Sequence, residues 1–373
     1  MSERIYLRPI PHGDAAQTAF ADWNAETGLE PDGYARWLAG GPERFDRVEP
    51  ITRDLRSGSV YRGPLIAPDA LPAPPEEQAE RVRLIRRRLE TERAPAAGVR
   101  FERPLVMGVV NVTPDSFSDG GRNLDPTAAI ASALQMVEDG ADILDIGGES
   151  TRPGAPLIPA AEEWARVGPV IEGLKEAGCR APISIDTRKA SVAQSALKAG
   201  ARLLNDVSAL TFDPESMSVA GEFIAKGGAV CLMHALGDPK ALQDDPRYDD
   251  VVLDIYDYLE RRVAACEAAG LVRDCLIVDP GIGFGKPLGH NVALLRALSL
   301  FQGLGCPVLL GASRKRFVGT LTEEPEALRR APGSVAVALM GAVQGAQILR
   351  VHDVRETAQA LRMQHALRHG RFD

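Results

Sequence analysis

Short apolar runs rich in β-branched residues recur along the chain from residue 103 onward, and longer segments with helical periodicity separate them. We predict eight buried strands from these runs, at 105–110, 143–146, 182–185, 202–204, 229–233, 276–278, 307–310 and 348–351. Eight strands that alternate with helices over about 270 residues are typical of an α/β protein with a (β/α)8 TIM barrel. An open doubly wound sheet is the alternative, but this number of repeats favours closure.

The first predicted helix of this region carries signals at both ends. Asp125 is a suitable N-cap residue, and Pro126 suits the first helical position because no N–H is needed there. Gly140 marks the end of the helix. Its predicted apolar face consists of Ile130, Leu134 and Val137.

The first hundred residues have a different pattern, which divides the chain into three segments. Residues 1–63 are predicted to be an N-terminal extension, 64–100 a proline-rich linker with a short helix, and 101–373 the barrel. The helix is predicted at 76–93, where Val82, Ile85 and Leu89 form an apolar stripe. The sequence assigns no function to the extension. We expect a small cap packed on the barrel, with an oligomer contact or a passenger domain as alternatives.

Composition narrows the class of protein. Hydrophobic residues make up 45% and charged residues 25% of the chain, which is ordinary for a globular protein and excludes a wholly disordered one. The formal net charge of −8 argues against a nucleic-acid partner, because proteins that bind phosphate backbones present a basic face. A small anionic substrate stays possible, since a few basic residues in one pocket can outweigh a distant acidic surface.

The cysteines and the N-terminus indicate a compartment. Five cysteines lie far apart in the sequence without a Cys-x-x-Cys pair, which favours free thiols over a disulfide framework or a zinc site. The sequence shows no signal-peptide pattern and no run of about 18 apolar residues, so we expect no membrane partner. We predict a cytoplasmic protein.

Polar side chains follow every predicted strand, at the end of a barrel where active sites lie. They are Asn111, Asp145, Asp186, Asn205, His234, Asp279, Ser313 with Lys315, and Arg350 with His352. The two carboxylates of Asp186 and Asp279 and the amide of Asn205 are acceptors that suit a nitrogen-rich ring, with Lys315 opposite. Because Arg350 and His352 are two residues apart on a strand, they share a face, and two potential positive charges converge on an anion there. Arg152 is a further candidate for that anion.

Each of these residues also has a plain structural interpretation. A single carboxylate after a strand is often a helix N-cap, and His234 fits a core residue. Lys286 fits a solvated surface charge. The glycines at 281, 283 and 285 resemble a nucleotide loop only weakly, because a P-loop would need glycine at Pro280 and a hydroxyl residue at Pro287. The functional interpretation depends on their joint position at one end of eight strands.

The polar segments together resemble the dihydropteroate synthases. The two most specific matches are NVTPDSFSDGG at 111–121 and DIGGESTRPG at 145–154. SIDT at 184–187, LNDV at 204–207, DPGIGFGK at 279–286, SRK at 313–315 and RVHDV at 350–354 follow in the family's order. The resemblance covers residues 103–369 and leaves the first hundred outside it. The chain departs from the family after His234, where Ala235 and Leu236 replace a methionine-glutamine pair, and at Pro332.

The resemblance implies a substrate and a set of pterin contacts. The substrate would be 7,8-dihydropterin-6-ylmethyl diphosphate, condensed with 4-aminobenzoate by an SN1-like displacement of diphosphate. The pterin would be held by Asp186, Asn205, Asp279 and Lys315, and walled by Val207, Met233, Phe284 and Gly311.

The resemblance also implies an anion site, a metal site and two loops. Arg350 and His352 would hold the diphosphate, and Asn111 would bind it through Mg²⁺, with Asp119 completing the metal shell. The second loop brings Thr151 and Arg152, and the aminobenzoate pocket, where sulfonamides would also bind, would be lined by Phe117, Pro153 and Ser313. Asn111, Arg152, Lys315, Arg350 and His352 are the implied catalytic residues. Barrel synthases of this kind commonly form homodimers.

Two other functions are open at this point. A related pterin-binding methyltransferase barrel would share the carboxylate floor but would lack the Arg350 and His352 pair. A non-catalytic pterin-binding protein would have no need of the diphosphate and metal residues.

Overall fold

The N-terminal segment forms an antiparallel sheet that the sequence did not indicate. In the computed structural model, which describes residues 3–12, 35–113, 125–150, 156–235 and 247–369, it consists of β1 (Glu3–His12), β2 (Arg36–Trp37), β3 (Arg44–Asp54) and β4 (Val60–Arg62). The order is β1-β3-β2, and β4 also pairs with β3. Helix α1 (Glu76–Glu90) covers one face of this sheet, where its predicted stripe of Val82, Ile85 and Leu89 packs against Leu7 and Phe45.

Eight parallel strands follow, and they match the eight predicted runs. They are β5 (Leu105–Asn111), β6 (Ile143–Gly147), β7 (Ile183–Asp186), β8 (Leu203–Asp206), β9 (Ala229–Met233), β10 (Leu276–Asp279), β11 (Leu309–Leu310) and β12 (Ile348–Val351). The hydrogen-bonded order is β10-β9-β8-β7-β6-β5-β12-β11, and a parallel bridge between Val278 and Val308 joins the two ends. The sheet therefore closes, which confirms the barrel and excludes the open doubly wound sheet.

A helix follows each barrel strand. The helices are α2 (Pro126–Glu138), α3 (Ala160–Glu176), α4 (Ala190–Ala199), α5 (Ser216–Ala225), α6 (Val251–Ala268), α7 (Leu288–Arg296), α8 (Arg316–Leu321), α9 (Ala331–Val343) and α10 (Val354–His369). Pro332, the departure noted above, lies in the first turn of α9, where proline is tolerated. No helix in the described ranges is long and apolar enough to cross a membrane.

Helix α2 begins as the sequence predicts but buries a different stripe. The carboxylate of Asp125 accepts a hydrogen bond from Thr127 N at 2.9 Å and caps the helix. The fully buried positions are Ala129 and Ala133, whereas the predicted face of Ile130, Leu134 and Val137 is only partly buried. Close approach of the helix to the sheet selects the small residues, and the larger ones pack at the edge of the contact.

The two faces of the barrel strands belong to different cores. One apolar cluster lies inside the barrel and contains alternate strand residues such as Met107, Ile143 and Cys231. Ala97 and Phe101, from the segment before β5, pack into the same cluster. The intervening strand residues pack outward against the helices in a larger cluster. This alternation decides which strand residues face the interior.

The predicted domain boundaries at 63 and 100 stay predictions. All five cysteines are free.

Candidate active site

The interior face of each strand carries the polar residues that the sequence singles out. Counting by twos from the interior residue Met107 gives Asn111, and the same count from Cys231 gives Met233. The residues of this face at or just beyond the strand ends are Asn111, Asp145, Asp186, Asn205, Met233, Asp279, Gly311, Arg350 and His352. The fold therefore brings them to one end of the barrel.

Arg350 forms the centre of an ion network among these residues. Its Nε donates to Oδ2 of Asp145 at 2.5 Å, and its Nη2 donates to Oδ2 of Asp186 at 2.7 Å. The amide of Asn205 donates to the same Oδ2 of Asp145 at 3.1 Å. Burial alone would lower the pKa of Arg350, but the carboxylates of Asp145 and Asp186 outweigh burial and raise it. The guanidinium is therefore a fixed positive charge beneath the barrel mouth.

Asp279 lies on the other side of Arg350. A Cβ atom at Gly311 would be 3.6 Å from Oδ2 of Asp279 and 3.8 Å from Cδ of Arg350, so both side chains converge on this glycine. Oδ1 of Asp279 accepts from Gly281 N at 2.7 Å. Asp186 and Asp279 are not helix N-caps, because Lys189 and Pro287 occupy the N-cap positions of α4 and α7. The N-cap interpretation of the two carboxylates is therefore wrong.

Lys315 closes the pocket beside Asp279. Its ammonium donates to the carbonyl of Ile282 and lies 4.3 Å from the ring centre of Phe284, a cation–π distance. Burial lowers the pKa of Lys315 to about 8, although Asp279 opposes part of the change. Lys315 and Phe284, each predicted to contact the pterin, therefore contact each other.

The buried side chain of Lys286 holds the loop after β10 by hydrogen bonds to backbone carbonyls. Its ammonium donates to the carbonyls of Gly281 at 2.7 Å, Phe284 at 3.0 Å and His234 at 3.2 Å. Lys286 is buried, so the interpretation as a solvated surface charge is wrong. It ties the β10 loop to the end of β9.

Unpartnered acceptors lie in the floor of the pocket. Oδ1 of Asp145 and Oδ1 of Asp186 are buried and have no hydrogen-bond partner in the described part of the chain. Burial raises the pKa of Asp186 to about 7, and the guanidinium of Arg350 opposes the rise. Burial also raises the pKa of Asp279. Buried acceptors without donors favour a ligand rich in N–H groups.

His352 lies beside Arg350 as predicted but carries no charge at neutral pH. Its Nδ1 is 3.0 Å from Oγ of Ser313, which also accepts from His352 N at 3.2 Å. Burial and the nearby positive charges of Arg350 and Arg314 lower the pKa of His352 to about 3. Of the two predicted residues, Arg350 therefore carries the positive charge and His352 presents a neutral imidazole, and their binding of an anion stays a prediction.

His234 is a core residue, as its structural interpretation expects, but its Nδ1 has no hydrogen-bond partner among the described residues. It is buried against Tyr258, with ring centres 4.8 Å apart in an edge-to-face arrangement. Burial lowers its pKa well below the ordinary value of 6.5. Its backbone carbonyl, which accepts from Lys286, is the part that faces the site loops.

Five of the predicted site residues belong to the two segments that the sequence predicts as loops after β5 and β6. Phe117, Asp119, Thr151, Arg152 and Pro153 lie outside the described residues. The base of the second loop is described, and it rests on a buried ion cluster. Lys189 Nζ lies 2.5 Å from Oε2 of Glu163 and 3.0 Å from Oε2 of Glu149. Oε1 of Glu149 accepts from Ile158 N at 3.1 Å, which ties together the two ends of the loop.

The donor set at the barrel mouth agrees with a magnesium ion held mainly by substrate. Asn111 offers one neutral oxygen at the end of β5, and magnesium usually takes one or two protein ligands together with water and phosphate oxygens. The ranges that the structure describes contain no cluster of three or more His, Cys, Asp or Glu side chains that would form an all-protein metal cage. The predicted metal thus stays a prediction with a compatible residue.

The sequence places Asp145 at the active-site end of the barrel but gives it no partner. In the structure it contacts both Arg350 and Asn205. Its position two residues after the interior residue Ile143 was the available signal. The same reasoning gave no role to Glu149, Glu163 or Lys189, because their contacts join residues far apart in the chain.

The geometry defines a barrel enzyme with a polar floor for a nitrogen-rich ring, and comparisons with known proteins agree with that class. A family model described as pterin binding enzyme matches residues 107–352. The dihydropteroate synthase of Neisseria meningitidis serogroup B is 48% identical over 274 residues, covering 72% of this chain and 94% of the relative. That of Escherichia coli K12 is 43% identical over 273 residues, covering 73% and 95%.

Solved structures give the same answer. The Xanthomonas albilineans dihydropteroate synthase with 4-aminobenzoic acid has a TM-score of 0.69 and 47% identity, covering 74% of this chain and 97% of that one. The Yersinia pestis enzyme in a sulfonamide complex has a TM-score of 0.69 and 44% identity, covering 74% and 98%. The chain belongs to the dihydropteroate synthase family. The N-terminal sheet lies before the first residue that the family model matches.

Proposed function

We propose that the chain condenses 7,8-dihydropterin-6-ylmethyl diphosphate with 4-aminobenzoate to give 7,8-dihydropteroate and diphosphate. The observation that carries this proposal is the pocket floor, where unpartnered oxygens of Asp145 and Asp186 lie next to the guanidinium of Arg350. Related enzymes support it, since one Xanthomonas albilineans structure holds 7,8-dihydropteroate.

The reaction breaks the bond between the methylene carbon and the diphosphate oxygen and forms a bond from that carbon to the amine nitrogen. Diphosphate leaves with the electron pair, and the amine loses one proton to solvent. An aromatic amine is a weak nucleophile, so stabilisation of the leaving group matters more than a general base. A dissociative, SN1-like path follows, in which the electron-rich pterin shares the positive charge that develops on the methylene carbon.

The described residues would form two groups, one that binds the ring and one that binds the leaving group. Asp186, Asn205 and Asp279 would hold the ring, with Lys315 at its edge and Met233 and Phe284 as walls. Arg350 would bring the charge that stabilises the departing diphosphate, and neutral His352 would donate an N–H to it. Arg350 also fixes Asp186 through their ion pair, so it would link the two halves of the site.

We also propose that the enzyme uses Mg²⁺, held by Asn111 and by the diphosphate. When bound, the ion would neutralise charge that builds up on the leaving group. Asp119 is the further protein ligand expected from the sequence. Titration of Mg²⁺ into protein with diphosphate alone, for wild type and Asn111→Ala, tests the site without turnover. Equal metal affinity in both proteins would exclude Asn111.

A steady-state assay tests the function against its rivals. Diphosphate release from the pterin substrate should require 4-aminobenzoate, and product should form with one diphosphate per pteroate. A methyltransferase barrel would show no release of diphosphate, and a non-catalytic pterin-binding protein would bind the ring without turnover. Either result would reject the proposal.

We further propose that the protein is a homodimer. Exposed apolar side chains on α9 and α10, Met340, Met363 and Leu367, lie on neighbouring helices and support a protein contact there. Sedimentation at micromolar concentration should give twice the mass of the chain, and a monomer at all concentrations would contradict this.

A further inference from the structure

The N-terminal sheet contacts the barrel through a concentrated set of ion pairs with one helix. Arg53 on β3 donates to Oδ1 of Asp254 at 2.5 Å and to Oδ2 of Asp249 at 3.2 Å. Arg62 on β4 donates to Oδ2 of Asp250 at 3.2 Å. Three carboxylates within six residues would repel one another without these partners. The sheet therefore neutralises the acidic start of α6.

The same carboxylates fix where α6 begins. Asp250 is the N-cap, and its side chain accepts from Val252 N at 3.0 Å and Leu253 N at 3.1 Å. Oδ2 of Asp254 accepts from Asp249 N at 2.9 Å. Arg62 thus holds the N-cap carboxylate that satisfies free N–H groups of the first turn, and Arg53 holds Asp254, which binds the N–H of Asp249 just before the helix.

Further contacts from Tyr6 and Arg81 extend this interface along the helix. The hydroxyl of Tyr6 on β1 donates to Oδ2 of Asp257 at 2.9 Å. Arg81 on α1 donates to Oε1 of Glu260 at 2.8 Å. Two more turns of α6 are therefore tied to the sheet, which makes the start of the helix a fixed point relative to β3.

Contacts between aromatic rings connect the start of α6 with the active site. Tyr248, next to Asp249, has its ring centre 6.1 Å from that of His234 and 5.3 Å from that of His290. His234 directly follows β9, and its carbonyl is bound by Lys286. Lys286 in turn holds the carbonyl of Phe284, whose ring contacts Lys315.

We propose that the N-terminal sheet is a positioning element of the active site, in which Arg53 sets the start of α6 and, through Tyr248, the Gly281–Lys286 loop that walls the ring. Arg53 is a positioning residue because its contacts are with Asp254 in α6 and with Asp249 just before that helix. The proposal rests on the proposed function in one respect, namely that the ring in this pocket is a pterin. The family model begins after this sheet, so Arg53 and the sheet lie in the N-terminal segment that the model does not match.

The test uses the full-length chain and the free ring as probe. Arg53→Met should weaken calorimetric binding of 7,8-dihydropterin, which lacks the diphosphate, by about 3- to 30-fold. Arg53→Lys should recover part of the loss, since an ammonium keeps the charge but does not bridge two carboxylates. Arg83→Met is the matched control, because Arg83 lies on α1 of the same segment and pairs with Glu80 in an exposed i,i+3 ion pair. It should change the affinity less than about twofold.

The contrary outcomes are distinct from those of the proposed function. If Arg53→Met lowers the unfolding temperature but binds the ring as wild type does, the sheet only supports the fold and the proposal is overturned. If Arg53→Met does not fold, Tyr248→Leu tests the same route from the barrel side, and wild-type ring affinity in that variant overturns it. A protein that binds the ring in this Arg53-dependent manner but forms no pteroate would reject the synthase function and support the positioning role.

Discussion

Nη2 of Arg350 lies 2.7 Å from Oδ2 of Asp186, and Nε of the same guanidinium lies 2.5 Å from Oδ2 of Asp145. One cation thus fixes two carboxylates from adjacent strands. Arg350 therefore has a structural task in the floor as well as the predicted task at the leaving group.

Substitution of Arg350 should separate these two tasks. Arg350→Ala leaves two buried carboxylates without a countercharge, which should lower the free energy of unfolding by about 3–5 kcal/mol in urea titrations. Diphosphate affinity, measured as competitive inhibition, should fall by about 10- to 100-fold, more than the affinity for the free ring. Arg350→Ala/Asp145→Asn should recover part of the stability. Unchanged diphosphate affinity in Arg350→Ala would mean that the anion lies elsewhere.

Asp186 should make ring binding depend on pH. Burial raises its pKa to about 7, and the ionised form is the better acceptor for ring N–H groups, so affinity should increase from pH 6 to pH 8. Asp186→Asn should weaken ring binding by about 10- to 100-fold and remove this dependence. Calorimetry across the range measures both effects, and wild-type affinity in the variant would exclude Asp186 from the floor.

Without a bound ligand, Asp186 should make the free energy of unfolding decrease as pH rises, which is opposite to the expected increase in ring affinity. The folded state binds the Asp186 proton more tightly than the unfolded chain, because the pKa is raised from 3.8 to about 7. The free energy of unfolding should therefore fall as pH rises through that interval. Asp186→Asn should flatten this part of the stability profile.

His352 should stay neutral in the free enzyme throughout the physiological range. Its pKa is lowered from 6.5 to about 3, so its folded form binds fewer protons and its contribution to stability is lost as pH falls below 6.5. Imidazole nitrogen shifts measured by NMR should show no titration between pH 5 and pH 8. His352→Gln keeps an N–H donor and should retain more diphosphate affinity than His352→Leu. A midpoint near 6.5 would contradict the assignment.

Lys189 should matter for 4-aminobenzoate although it lies below the second loop. Lys189→Met leaves the fully buried Glu163 unpaired and should lower the free energy of unfolding by about 3–5 kcal/mol. It should also raise KM for 4-aminobenzoate more than KM for the pterin, because Glu149 loses the closer of its two cations at the loop base and keeps only Arg188, at 3.5 Å. Lys189→Met/Glu163→Leu should restore stability but not KM. Equal effects on both substrates would show that the cluster serves the fold alone.

The turn after β10 should tolerate no side chain at Gly281. A Cβ there would lie 1.9 Å from the carbonyl oxygen of His234, and the backbone has φ of +69°. Gly281→Ala should therefore displace the loop and abolish ring binding. Gly289→Ala is the control, because nothing lies within 4 Å of its added Cβ in α7 and alanine favours a helix by about 0.5–1 kcal/mol. Normal ring binding in Gly281→Ala would show that the loop position is unimportant.

The barrel was predictable because its signal is local and repeated. Each strand is an apolar run with a polar residue at its end, and strand alternation places Asn111, Asp279 and Arg350 on one face. The N-terminal sheet was not predictable in this way, because β1 pairs with β3 across more than thirty intervening residues. The neutral state of His352 also depends on burial and on charges from other strands, which no local pattern encodes.

The segment before β5 has a consequence for the traffic of reactants. Ala97 and Phe101 pack into the same apolar cluster as the strand residues inside the barrel, so the chain itself fills that end of the interior. Because the interior is a packed core and not a pore, the polar floor can be reached only from the carboxyl ends of the strands. Both substrates and both products must therefore pass through that same end.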